Sequence, residues 1–154
     1  MFVEGPNQSG KSTLVETLSK HFKKSVSHSG CQPEDLDGAC QAQLSLLKIG
    51  VIVDRVTPIS ELVYHPENAE LFDHEYWLDQ MFECGPVIYC TAKGEPIDKE
   101  YYPPNHYDKL VKEIADIRNR YERIMSQMHH IRYDYHVDNI DELLEKVHEA
   151  IQLY

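Results

Sequence analysis

The sequence predicts an α/β fold, a parallel β-sheet covered by helices on both faces. Short apolar, β-branched runs alternate with segments whose apolar residues recur at helical spacing, the pattern of strands joined by helical crossovers. "VIVDR" (51–55) and "VIYCTA" (87–92) each open on an apolar, β-branched run without polar alternation, as strands buried on both faces do. The 154 residues suit one domain, 1–154, with one sizeable core. No internal repeat or linker divides them.

Each element has its own warrant. Met1 to Glu4 is a short apolar run stopped by Gly5-Pro6, the first strand. Leu14, Val15, Leu18 and Phe22 place a helix over 11–22. "SVSHS" (25–29) reads as a second strand. Leu36, Ala39, Cys40, Leu44 and Leu47 share one face of a helix over 34–48. The third strand, 51–55, is bounded by Gly50 and Pro58. Leu71, Phe72, Leu78, Met81 and Phe82 predict a helix over 68–83, stopped by Gly85-Pro86. The strand at 87–92 leads into a loop rich in proline, tyrosine and charge. The stripe from Tyr107 through Leu110, Val111, Ile114, Ile117, Tyr121 and Ile124 to Met128 predicts a long helix over 107–128, its apolar face turned inward. "IRYDYH" (131–136) reads as the last strand, and Asp138 as the cap of a last helix bearing Ile140 to Ile151.

Composition narrows the function. Hydrophobic residues at 42% and charged residues at 27% are globular values, so the chain folds. The formal net charge is -11. Residues 1–30 hold four lysines against Glu4 and Glu16, so the acidity lies in the remainder. An acidic surface repels a phosphate backbone and disfavours broad nucleic-acid binding. There is no apolar run long enough for a membrane span, and the first strand begins at Met1, so we expect no signal peptide and a cytoplasmic protein. Cys31, Cys40, Cys84 and Cys90 lack Cys-x-x-Cys spacing and read as reduced, buried thiols. The nine histidines show no zinc-ligand spacing. The acidic helices at 68–83 and 138–149 are solvated surface or the face of a homodimer.

The segment "GPNQSGKST", Gly5 to Thr13, carries the chemistry. Gly5, Gly10, Lys11 and Ser12 match G-x-x-x-x-G-K-[ST], with a strand before and a helix after. The glycines permit backbone conformations that let the N–H groups of Asn7, Gln8, Ser9, Gly10 and the helix start converge on phosphate oxygens; Pro6, with no N–H, belongs to the same loop. Lys11 reaches the β- and γ-phosphates, and the Ser12 hydroxyl, followed by Thr13, faces Mg²⁺. Asp54, at the carboxyl end of a buried strand, emerges beside this loop as a Mg²⁺-side carboxylate or a base. Arg55 next to it suits a bidentate clamp on a second anion. Lys11, Asp54 and Arg55 are the candidate catalytic residues.

These blocks resemble the P-loop nucleoside and nucleotide kinases, in particular the thymidylate kinase-like group, short members of which are encoded by bacteriophages. "FVEGPNQSGKST" is similar to that family's opening, "VIVDRVTPISELVY" to its Asp-Arg strand with the Ser and Tyr that follow, and "VIYCTAKGEP" and "IRYDYHVDNIDELLEKV" to its fourth and last strands. The resemblance covers most of the chain. It implies a three-layer sandwich whose five-stranded parallel sheet has the order 2-3-1-4-5. It implies ATP and Mg²⁺, an Arg55 that meets the acceptor's phosphate or the phosphoryl group in flight, and arginines of a lid-like segment, about 93–123, closing over the triphosphate. Arg118, Arg120 and Arg123 are the candidates here. A bacteriophage origin would place the protein in the host cytoplasm.

Two departures concern the acceptor. Asn7 stands where thymidylate kinases carry an acid, and "SHSGCQPED" has neither their Arg-Glu-Pro nor the Glu base of deoxynucleoside kinases in register. Three functions stay open. A deoxynucleoside monophosphate acceptor needs cations but no base, with Tyr64, Tyr101, Tyr102 and Tyr107 available to stack on its nucleobase. A phage enzyme phosphorylating 5-hydroxymethyluracil in DNA is the alternative; it would take its base out of the stack. A hydroxyl acceptor profits from a carboxylate, for which Glu4, Glu34, Asp35 and Glu61 are candidates beside Asp54. An ATPase or switch module is the third, weakened by the lack of Asn-Lys-x-Asp and of additional elements.

Overall fold

The computed structural model describes residues 1–29 and 34–154. Cys31 and the middle of "SHSGCQPED" lie outside the described residues. The strands are β1 (Phe2–Glu4), β2 (Val26–His28), β3 (Ile52–Asp54), β4 (Val87–Cys90) and β5 (Ile131–Tyr133). They form one sheet in the order β2-β3-β1-β4-β5, with every neighbouring pair parallel. This is the order the resemblance implies. Parallel neighbours need crossovers, and the helices supply them: α1 (Lys11–Phe22), α2 (Leu36–Lys48), α3 (Thr57–Tyr64), α4 (His74–Phe82), α5 (Pro104–Met125) and α6 (Ile140–Ile151).

Strand alternation divides the core into two layers. Phe2, Val53, Val87 and Tyr89 point to one face and pack with residues of α2, α3, α4 and α5, Leu44, Ile59, Met81 and Tyr121 among them. Val3, Ile52, Ile88 and Cys90 point to the other, against Leu14 and Leu18 of α1 and Leu143 and Val147 of α6. Burying each large aliphatic side chain contributes about 1.5–3 kcal/mol. Helices therefore cover both faces, as expected.

The strands expected over 87–92 and 131–136 stop at Cys90 and Tyr133, the helix expected from 34 begins at Leu36, and four further departures concern the other helices. First, α3 follows β3 at once, where no helix was expected. Pro58, read only as the end of a strand, sits in its first turn, where a missing N–H costs nothing. Second, the helix expected over 68–83 begins only at His74, because Asp73 caps it by accepting the Tyr76 N–H at 3.1 Å. Leu71 precedes the cap and is 69% exposed. Third, Asn139 rather than Asp138 caps α6, accepting the N–H groups of Asp141 and Glu142. Asp138 instead accepts the Asp134 N–H at 2.7 Å and closes the turn before it.

The fourth difference has the largest consequence. The long helix runs 104–125, not 107–128, and its apolar stripe is buried only at one end. Tyr121, Ile124 and Met125 are in the core, but Val111 and Ile114 are 42% and 39% exposed. The cause is length. A helix of 22 residues is about 33 Å long, whereas a strand of four residues reaches only about 13 Å. The first half of α5 overhangs the sheet.

Candidate functional site

The phosphate loop with Lys11 and Ser12, and Asp54 and Arg55 after it, gather at the carboxyl edge of the sheet, where β1, β3 and β4 end. The chain leaves β1 at Gly5, whose backbone passes so near β4 that an added Cβ would lie 2.7 Å from the Cys90 carbonyl oxygen. Gly10 has φ 79°, and an added Cβ would strike the Tyr135 ring. Only glycine satisfies both positions. No side chain caps α1 at Gly10, so its first N–H groups remain for an anion. Ser12 and Thr13 are exposed and, with Pro6 to Gln8, Gly10 and Lys11, line a cleft of about 450 Å³.

Lys11 and Asp54 are both buried and form an ion pair. The second Asp54 oxygen meets His28 Nδ1 at 2.7 Å. Parallel register sets this contact, since His28 is aligned with Asp54 across β2 and β3. Strand alternation sends Asp54, like Ile52, to the α1 side, and α1 begins with Lys11. The two candidate catalytic charges thus meet for reasons readable in the topology. An exposed hydroxyl at Ser12, the Asp54 carboxylate and uncapped N–H groups form a donor set that fits a Mg²⁺–triphosphate.

Arg55 ends β3 in the left-handed region, with φ 66°, a costly conformation for a side chain of this size. The turn sends its guanidinium back over the loop. It donates to the Gly5 carbonyl at 3.0 Å and to Asn7 Oδ1 at 2.9 Å, and lies 5.3 Å from the centroid of the Tyr64 ring. Asn7 therefore accepts from Arg55 without neutralising it, which a carboxylate at that position would do.

Two further clefts share Tyr64, and the first of them also reaches Arg55. One, of about 370 Å³, is bounded by α2 and α3 and lined by Gln43, Ser60, Glu61, Tyr64 and His65, with His28, Ser29 and Arg55 at its junction with the phosphate loop. Three buried atoms beside it, Arg55 Nε, Ser60 Oγ and Tyr64 Oη, have no hydrogen-bond partner among the described residues. Orphaned buried polar atoms await a ligand or water. Gln43 ties the cleft together, accepting the Thr57 N–H at 2.7 Å and donating to Ser29 Oγ at 3.0 Å. The other cleft, about 610 Å³, lies between the segment 93–102 and the overhanging half of α5, and it also borders Pro6, Asn7, Gln8 and Tyr64.

The remaining candidates fall in varied places. Arg118 lines the larger cleft and donates to the Ala92 carbonyl at 3.2 Å. Arg120 donates to the Val63 carbonyl at 2.6 Å, pinning α5 to the end of α3. Arg123 is exposed. Asp35 caps α2 through the Gly38 N–H, and Glu34 is exposed. Glu61 accepts from Asn68 Nδ2 at 3.0 Å. Glu4 does not line any of these clefts. It is wholly buried, accepting the Val56 N–H at 2.7 Å and the Tyr121 hydroxyl at 3.3 Å. Burial pushes its carboxyl up to about 7, against the pull of the Val56 N–H, Arg55 and Lys11. Burial also pushes the Cys40 and Cys90 thiols up to about 12, so both are unreactive.

Sequence reasoning missed His28, Gln43 and Tyr135. Only His28 carried a signal, as the last residue of a strand beside Asp54. Among the described residues, no helix is long and apolar enough to cross a membrane.

Comparison with known proteins adds a fold relationship. No protein-family model matches the chain, and no curated protein matches it. Among solved structures, the YorR protein from Bacillus subtilis in complex with phosphorylated GDP is similar over 99% of this chain and 95% of its own, with a TM-score of 0.62 and 22% identity. Deoxyadenosine kinase from M. mycoides with bound dATP matches more weakly, over 96% of this chain and 98% of its own, with a TM-score of 0.47 and 15% identity. The likeness to YorR is one of fold: a five-stranded parallel sheet in the order β2-β3-β1-β4-β5 with helices on both faces.

Proposed function

We infer that the protein is an ATP- and Mg²⁺-dependent phosphotransferase moving the γ-phosphoryl group to a deoxynucleotide. The observation that carries this is Arg55, held by Gly5, Asn7 and Tyr64 where the phosphate-loop cleft joins the α2–α3 cleft. A hydrolase needs only a donor site and a water; a transferase needs a second site within reach of the γ-phosphate. Two clefts sharing one guanidinium supply that arrangement.

The loop N–H groups and Lys11 bind and orient the triphosphate, and Ser12 and Asp54 would hold Mg²⁺. The metal, when bound, neutralises charge on the transferring phosphate oxygens. Arg55 stabilises charge on the phosphoryl group as it passes between the clefts. The walls of the α2–α3 cleft exclude water from the acceptor.

A deoxynucleoside monophosphate of thymidylate type is the first acceptor, its phosphate meeting Arg55. One observation favours 5-hydroxymethyluracil in DNA as a second reading. Arg55 is the only Lys or Arg lining the α2–α3 cleft among the described residues, and Glu61 also lines it. A dianionic phosphate finds little charge compensation, whereas a neutral hydroxymethyl group needs none.

The test offers labelled ATP and Mg²⁺ with deoxynucleosides, their monophosphates, plain DNA and hydroxymethyluracil DNA. Label in one nucleotide acceptor is expected. Lys11→Ala should abolish transfer with the fold retained. Arg55→Ala should lower kcat by two orders of magnitude or more while shifting ATP affinity little. Acceptor-independent phosphate release by the wild type would sink the reading.

A further inference from the structure

The overhang of α5 leaves Val111 and Ile114 half-exposed, while Ile117 at the inner end of the same stripe packs against the core. Leu110, Val111, Ile114 and Ile117 face Ile97 and Tyr102 across the cleft of about 610 Å³. That volume is typical of small-molecule sites, which are mostly apolar with a few polar groups. The cleft is continuous with the reaction centre, because it shares Pro6, Asn7 and Gln8 with the phosphate-loop cleft and Tyr64 with the α2–α3 cleft. Its charges balance: Lys93 and Arg118 face Glu95 and Glu113. A phosphate gains nothing in a balanced apolar cleft, whereas a neutral ring with polar edges gains burial on both faces and partners at its rim. The α2–α3 cleft is smaller and lined by hydroxyls, amides and a carboxylate, a lining suited to a sugar or a reacting polar group.

We propose that the cleft under the overhanging half of α5 is the nucleobase subsite of the acceptor. The base lies between Tyr102 and the Val111–Ile114 stripe, and the group to be phosphorylated, a sugar-borne phosphate or a hydroxymethyl substituent of the base, passes Asn7 and Tyr64 to the reaction centre. The assignment rests on the phosphotransfer reading for the identity of its ligand, and places that ligand's base on a helix face the phosphate loop does not reach. Arg118, at the inner end, presents its guanidinium to the edge of the base while bonded to Ala92.

The experiment compares the wild type with Val111→Ser and Ile114→Ser, half-exposed positions whose substitution spares the core. Calorimetric titrations use four probes: thymidine monophosphate, a hydroxymethyluracil-containing single strand, 2-deoxyribose 5-phosphate, which lacks a base, and ATP with Mg²⁺. Both variants should weaken at least one of the two base-carrying acceptors tenfold or more and leave the sugar phosphate and ATP within twofold of wild type. Equal weakening of all probes would mark a structural role and overturn the assignment. So would unchanged affinity for both base-carrying acceptors, or a wild type that binds neither. A wild-type dimer that either variant dissociates would show a second copy of the chain to be the occupant. If the wild type binds a base-carrying probe as described yet transfers no label, the phosphotransfer reading falls and the subsite stands.

Discussion

Glu4 shows how a strand position decides the fate of a charge. It shares a pleat direction with Phe2 and so points under α3 and α5, away from solvent and from the clefts. Its carboxyl, raised from 4.5 to about 7 chiefly by burial, is favoured by the fold in its protonated form. The stability this protonation contributes is fully present below pH 4.5 and is lost as pH rises through 7. At ~1.4 kcal/mol per pH unit, the rise from 4.5 to about 7 corresponds to roughly 3–4 kcal/mol. Urea unfolding of wild type and Glu4→Gln at pH 5 and pH 8 should show this pH-dependent loss in the wild type alone; equal losses in both would refute it. Lys11, Asp54 and Arg55 were legible at the residue scale because motif and strand end place them. Their partners were not. His28 depends on the register of two strands distant in sequence, and the Asn7–Arg55 contact depends on a positive φ that nothing about arginine announces.

Elements were legible where they are periodic and long enough. The strands expected at 51–55 and 87–92 are found as 52–54 and 87–90, and their apolar runs are unbroken up to Asp54 and Cys90 because helices cover both faces. The helix α3 escaped notice because eight residues give barely two turns of pattern beside a proline that also ends strands. For α5 the pattern was right and the inference from it was not: periodicity reports an apolar stripe, not whether a sheet lies beneath its whole length. Capping belongs to this scale too. Asn139 satisfies two otherwise orphaned N–H groups of α6, so Asn139→Ala should destabilise the protein by about 1 kcal/mol, read as a lowered midpoint in urea. Asp138→Ala should cost less helix stability, since its carboxylate serves the turn before.

For the molecule as a whole, the sheet order followed from the resemblance rather than from any single strand, while the three clefts, adjoining one another pairwise, could be seen only once the helices were in place. The carboxyl edge gathers the phosphate loop from β1, Asp54 and Arg55 from β3 and the cleft segment from β4, so one ligand bridges several crossovers. A ligand that binds only the folded chain stabilises it by mass action. At ATP and Mg²⁺ a hundredfold above the dissociation constant, the gain is about 2.7 kcal/mol, a rise in Tm of roughly 5–10 °C for a chain of this size. Thermal melts with and without ATP and Mg²⁺ check this, and Lys11→Ala should lose most of the shift. A wild type whose Tm does not move would contradict the donor site.

The long helix is, in mechanical terms, a beam clamped at one end. Tyr121, Ile124 and Met125 are set in the core, and the bonds from Arg120 to Val63 and from Arg118 to Ala92 fasten the beam where it leaves its support. Beyond that point little buried surface opposes bending, so the free half can rise or fall without breaking core contacts. The gap beneath it is therefore adjustable at small energetic cost, while the phosphate loop at the other side of the same gap stays anchored to the sheet.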